Sequence, residues 1–166
     1  LNQLLAVHPS HAKGASLLKS IKISRMKYTA AVSYSADFFS RTFDPAHYAS
    51  AQLGRTNSWG SSILRLNYSY RFNDSGVQPE IDLYPRIVNG VYAYLNYGYS
   101  SSDLFPEHRI GAEVYANLPA SLEASAGIRY LYFGTSEVII YTGSLGWYVK
   151  NYWISFRPYI TPDEET

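Results

Sequence analysis

From Arg25 onward, apolar and polar side chains alternate with a period of two, the pattern of strands rather than helices. Nine such segments follow one another, at 27–39, 48–55, 62–72, 77–87, 91–100, 109–118, 122–133, 137–148 and 152–160. Turn-forming residues separate them, at 57–60, 73–76, 119–121, Gly134-Thr135 and 149–151. Asn89-Gly90 is a strong signal for a two-residue hairpin turn. In the first segment Lys27, Thr29, Ser33 and Asp37 oppose Tyr28, Ala30, Val32, Tyr34 and Phe38. In the third, Arg65, Asn67, Ser69 and Arg71 oppose Leu64, Leu66, Tyr68 and Tyr70. The fourth sets Gln78, Glu80, Asp82, Tyr84 and Arg86 against Val77, Pro79, Ile81, Leu83 and Pro85. The sixth and seventh set Arg109, Glu113, Asn117, Glu123 and Arg129 against Ile110, Val114, Leu118, Ile128 and Tyr130. A one-residue slip would carry each charge into the apolar phase, so the register is strongly specified. Pro79 and Pro85 disturb the fourth segment, because proline lacks a ladder donor.

Residues 1–22 follow a different rule. Leu1, Leu4 and Leu5, then Leu17, Leu18 and Ile21, recur at helical spacing on either side of Pro9. Ser10 after that proline is placed to cap a helix running to about Lys22. Two readings stand: an amphipathic linker, or the tail of a tetratricopeptide unit, which the stretch AVHPSHAKGASLLKSI resembles. A partial repeat cannot bury its own face, so the second reading requires further repeats upstream.

Alternation alone does not separate a soluble sheet from a membrane barrel, since each buries one face of its strands. Segment length does, because soluble strands average about 5–6 residues and membrane-crossing ones need about 9–11. Short turns follow the second, fourth, sixth and eighth segments, whereas longer stretches follow the first and fifth, the arrangement of periplasmic turns and external loops. Tyrosine is the dominant aromatic, with 17 Tyr against a single Met in 166 residues, and its amphipathic ring suits the boundary of a bilayer. Tyr68, Tyr70, Phe72, Tyr97, Tyr99, Tyr130, Tyr132 and Phe133 gather toward segment ends, as an aromatic girdle requires. The expected fold is therefore all-β: an antiparallel transmembrane β-barrel over residues 25–162, preceded by a short helical segment over 1–22. Bacterial single-chain barrels have even strand numbers, so either one of the nine segments is not a strand or strands are missing, and the charged, loop-like ITPDEET stretch favours missing strands. The expected location is the bacterial outer membrane, with the N-terminus periplasmic.

Six stretches carry a family likeness: FDPAHYASAQLGR, GVQPEIDLYPRI, YAYLNYGYS, LFPEHRIGAEVYANLP, EASAGIRYLYF and YTGSLGWYVKNYWISFRPYITP. In order and in turn residues, over about residues 25–162, the chain resembles the YaiO-type outer-membrane barrel domain. The resemblance implies tetratricopeptide repeats before the barrel and strands beyond the ninth, to roughly twelve. It also implies work on the envelope or on exopolysaccharide, with periplasmic protein partners reached through the upstream repeats.

Charge and reactive residues narrow the chemistry. A net charge of +1 with singly scattered Lys and Arg gives no nucleic-acid footprint. With no Cys, thiol chemistry and Cys-ligated metals are excluded. His8, His11, His47 and His108 have no metal-ligand spacing, and no G-x-S-x-G elbow occurs, so no catalytic residue, metal or cofactor is assigned. The candidate lumen residues are Arg65, Arg71, Glu80, Asp82, Arg86, Arg109, Glu113, Glu123, Arg129 and Arg157, with Tyr84, Tyr92, Tyr94 and Trp153 as stacking faces for sugar rings. Lys27 and Asp37 share their phase. These charges either neutralise one another as lumen filling or form a polar conduit for a glycan. Two other functions compete with a non-enzymatic barrel. One is a small outer-membrane enzyme acting on lipid or glycan through His47 or His108 in external loops; the other is a soluble all-β binding module.

Overall fold

Segments of alternating apolar and polar residues pair here with their sequence neighbours, strand after strand. The computed structural model describes residues 13, 14, 16, 17, 27–40 and 44–162, so the expected N-terminal helix lies almost wholly outside the described residues. The strands are β1 (Tyr28–Asp37), β2 (Ala46–Thr56), β3 (Gly60–Arg71), β4 (Asp74–Val88), β5 (Val91–Tyr99), β6 (His108–Leu118), β7 (Leu122–Tyr132), β8 (Glu137–Val149), β9 (Tyr152–Phe156) and β10 (Tyr159–Ile160). They form one antiparallel meander in sequence order, with β9 and β10 both on β8. Among the described residues the sheet is not closed: β1 pairs only with β2.

Three details differ from the sequence reading. The expected ninth strand is split in two, but its register is continuous: Phe156 faces Leu145, and three residues further on Tyr159 faces Thr142. Pro158, without an N–H, lies in the gap. The turn after the third strand falls on Phe72 and Asn73, both at positive φ, while Asp74, Ser75 and Gly76 join β4. The prolines of β4 are accommodated on one side. Its register with β3 runs unbroken from Arg71↔Asp74 to Gly60↔Pro85, whereas its ladder to β5 starts after Pro79 and skips Pro85.

Burial is inverted relative to a soluble domain. Among the described residues, the buried hydrophobic residues are two alanines, Ala46 and Ala93. The buried polar set is Ser69, Gln78, Glu80, Asp82, Asn96, Ser100, Glu113 and Thr142. Val32, Leu53, Leu64, Leu66, Leu95, Ile110, Val114, Ile139, Leu145, Ile154 and Phe156 stand exposed on the opposite phase. Contiguous apolar surface on this scale is untenable in water and natural in lipid. At the end carrying the β1–β2, β3–β4, β5–β6 and β7–β8 connections, this outer phase ends in aromatic and histidine rings. Tyr34, Phe38 and Tyr70 surround His47; Tyr97, Tyr99 and Tyr132 surround His108. Such a row matches the aromatic belt of a membrane boundary.

Candidate functional site: the polar inner face

The strict register places the polar residues of neighbouring strands side by side, which turns single charges into pairs. On β3 and β4, Arg65 faces Glu80 directly. Its Nη1 donates to Glu80 Oε2 at 3.1 Å, its Nη2 meets Asp82 Oδ2 at 2.9 Å, and its Nε donates to Gln52 at 3.1 Å. Arg109 on β6 reaches Glu80 Oε1 at 3.2 Å. Asp82 Oδ1 accepts from Asn96 Nδ2 at 2.7 Å and from the Tyr94 hydroxyl at 3.1 Å. Gly98 stands between Glu80 and Arg109 in register, and a side chain there would crowd the Glu80 stem. Both carboxylates are thus buried and fully engaged, the condition under which buried charge is tolerated.

A second network spans β6 to the β9–β10 gap. Arg157 Nη1 donates to both Glu113 oxygens, at 2.7 and 2.9 Å, and its Nη2 reaches the Tyr115 hydroxyl at 3.2 Å and Ser144 at 3.3 Å. Ser125 donates to Glu113 and also meets Ser144. Gly127 faces Glu113 across the β6–β7 pair, where a Cβ would collide with the Glu113 stem and the Ala112 carbonyl. The guanidinium also lies 5.9 Å from the Tyr115 ring centroid, and Tyr115 stacks on Tyr92 at 4.7 Å.

The β5–β6 connection, residues 100–107, turns onto this inner face instead of standing free as an external loop. Arg71 Nη2 donates to the Leu104 carbonyl and Gln78 Nε2 to the Pro106 carbonyl, each at 3.0 Å. Ser100 donates to the Val77 carbonyl at 2.8 Å. Gly76 leaves space that Ser102 and Phe105 fill. Beneath the loop, Phe105 and Pro106 roof a recess of 360 Å³ whose walls come from β1–β4 and β6. Further along β3, Ser69 Oγ and Arg71 Nε are buried with no protein partner among the described residues.

The sequence-derived candidates divide accordingly. Arg65, Glu80, Asp82, Tyr94 and Arg109 meet in the first network; Glu113 and Arg157 meet in the second. Arg71 holds the inward loop. Tyr92 donates to Glu123 at 3.2 Å, and Arg129 lies over the Tyr159 ring at 5.3 Å. Arg86 is exposed near the β4–β5 turn, beside Tyr92 and Asn117. The tyrosine and tryptophan faces are partly occupied by one another: Tyr84 packs on Tyr94 at 5.2 Å and Trp153 on Tyr148 at 4.0 Å. Sequence reasoning missed Gln52, Asn96, Tyr115, Ser125 and Ser144, although each shares the polar phase of its strand. It also missed the Leu104 and Pro106 carbonyls, which leave no trace in side-chain pattern. His47 and His108 lie on the outer phase, with Nδ1 bonded to Tyr34 at 2.8 Å and to Tyr97 at 3.1 Å. Among the described residues no cluster of His, Asp and Glu could hold a metal ion.

A long antiparallel meander with a charged, internally paired inner face and an apolar outer face is the wall of a membrane β-barrel of the outer-membrane kind. Residues 27–166 match the YaiO membrane β-barrel domain, and the chain belongs to that family. A search of the curated proteins and of the solved structures gave no match.

Proposed function

We propose that the chain is the wall of a non-enzymatic bacterial outer-membrane barrel whose polar inner face binds or conducts a small hydrophilic solute. The observation that carries this is the inverted burial, with carboxylates and amides inside and isoleucine, leucine and valine outside. Among the described residues the sheet has two free edges, at β1 and at β9–β10. Unpaired backbone groups in hydrocarbon cost several kcal/mol each, so further antiparallel strands close the wall in the membrane; the family resemblance puts the total near twelve. On this reading the short β2–β3, β4–β5, β6–β7 and β8–β9 turns face the periplasm. The N-terminus lies there too, with helical repeats ahead of it to dock periplasmic partners. A role in polysaccharide export or modification rests on the family resemblance alone.

The enzyme alternative loses ground because His47 and His108 sit in the outer aromatic row, each ring bonded to a tyrosine. The test is folding into detergent micelles followed by gel migration with and without boiling, then turnover assays on lipid and glycan substrates. The proposal expects heat-modifiable migration and no turnover. Turnover abolished by His108→Ala or His47→Ala overturns the non-enzymatic part, and a chain that stays dispersed without detergent overturns the barrel.

A further inference from the structure

We infer that the recess under the inward loop is a binding site for a small solute carrying an oxyanion, a carboxylate or a phosphate; this deepens the lumen reading above and rests on it. The argument is an inventory of donors and acceptors. Glu80 is the carboxylate that borders the recess, and both its oxygens are taken, one by Arg65 and one by Arg109. It is also covered: the side chain of Glu80 is 2% exposed, while those of Arg65 and Arg109 are 29% and 37% exposed. The surface offered to a solute is therefore guanidinium, with its counter-charge underneath.

Donors remain over. Each of the three Arg65 nitrogens already has a partner, in Gln52, Glu80 and Asp82. Arg109 makes a single bond, through Nη1, so its Nε and Nη2 lack a protein partner among the described residues. The Asn67 amide and the Tyr48 hydroxyl border the same recess, and among the described residues neither has a hydrogen-bond partner. Asp37, on the same phase of β1, lies beyond Ser35 and does not border it. A planar guanidinium with two free donors, flanked by an amide and a hydroxyl, suits bidentate capture of a carboxylate or phosphate. At 360 Å³ the recess admits a solute of about monosaccharide size.

The experiment is calorimetric titration of the detergent-folded protein at low ionic strength with inorganic phosphate, glucuronate and, as the neutral control, glucose. The inference expects phosphate or glucuronate to bind, glucose not to, and affinity to fall with added salt. The preferred anion identifies the group recognised. Arg109→Gln should weaken binding about tenfold or more, with Arg109→Lys intermediate. Glu80 keeps Arg65 in these variants, so the fold is retained; Asn67→Asp, which touches no ion pair, should abolish binding in any case. A heat-modifiable barrel that binds no anion, binds glucose equally well, or is indifferent to both Arg109→Gln and Asn67→Asp overturns the site and leaves the barrel standing. A chain that needs no detergent yet binds phosphate overturns the barrel and leaves the site.

Discussion

Glu113 shows what the inner face demands of single residues. It is buried, it takes both hydrogen bonds of one Arg157 nitrogen, and Gly127 makes room for its stem. Arg157→Ala takes the guanidinium away from that carboxylate, and stranding a buried charge costs about 3–5 kcal/mol. Denaturant titration in detergent, followed by tryptophan fluorescence, should therefore show a midpoint loss far larger than for Arg86→Ala, whose side chain is exposed. Gly127→Ala should destabilise as well, since its Cβ meets backbone on one side and the Glu113 stem on the other. At this scale the sequence was generous with charge and silent on geometry. The parity of Arg65, Glu80 and Glu113 was legible, because period two is unambiguous. That Arg157 would reach Glu113 across β7 and β8 was not, because it depends on the curvature of the sheet.

Among the elements, the boundaries of β4 are instructive. Asp74-Ser75-Gly76 has turn composition, yet the turn lies at Phe72-Asn73 and Gly76 is small because Ser102 and Phe105 pack against it. Composition answered to a long-range contact and was misread as local. The inward loop was equally hidden, since two of its anchors are main-chain carbonyls. Gln78→Ala removes one anchor, worth roughly 1 kcal/mol. Hydrogen exchange over residues 100–107 should rise roughly fivefold while the β3–β6 ladders stay protected. The two faces of one strand should also respond unequally to charge. Leu64→Arg, on the outer phase of β3, should cost about 2–4 kcal/mol in bilayers. Ile63→Arg, on the inner phase facing Asp82, should cost less than half as much in the same unfolding assay.

For the whole molecule, the decisive property is which phase meets lipid. Segment length, the tyrosine excess and the placement of aromatic residues at strand ends point to a membrane from the sequence alone, and the inverted burial agrees with them. The chain has no cysteine, so a single one introduced anywhere reports without ambiguity. Spin labels at Ala49, Ala51 and Leu53 of β2, and at Ser50 and Gln52 between them, sample the two phases of one strand. With the protein in liposomes, relaxation by lipid-soluble oxygen and by a water-soluble nickel complex should alternate residue by residue. The account predicts oxygen dominance at 49, 51 and 53 and nickel dominance at 50 and 52. Equal or greater nickel access at Ala51 and Leu53 would place the apolar face in water and contradict the membrane barrel.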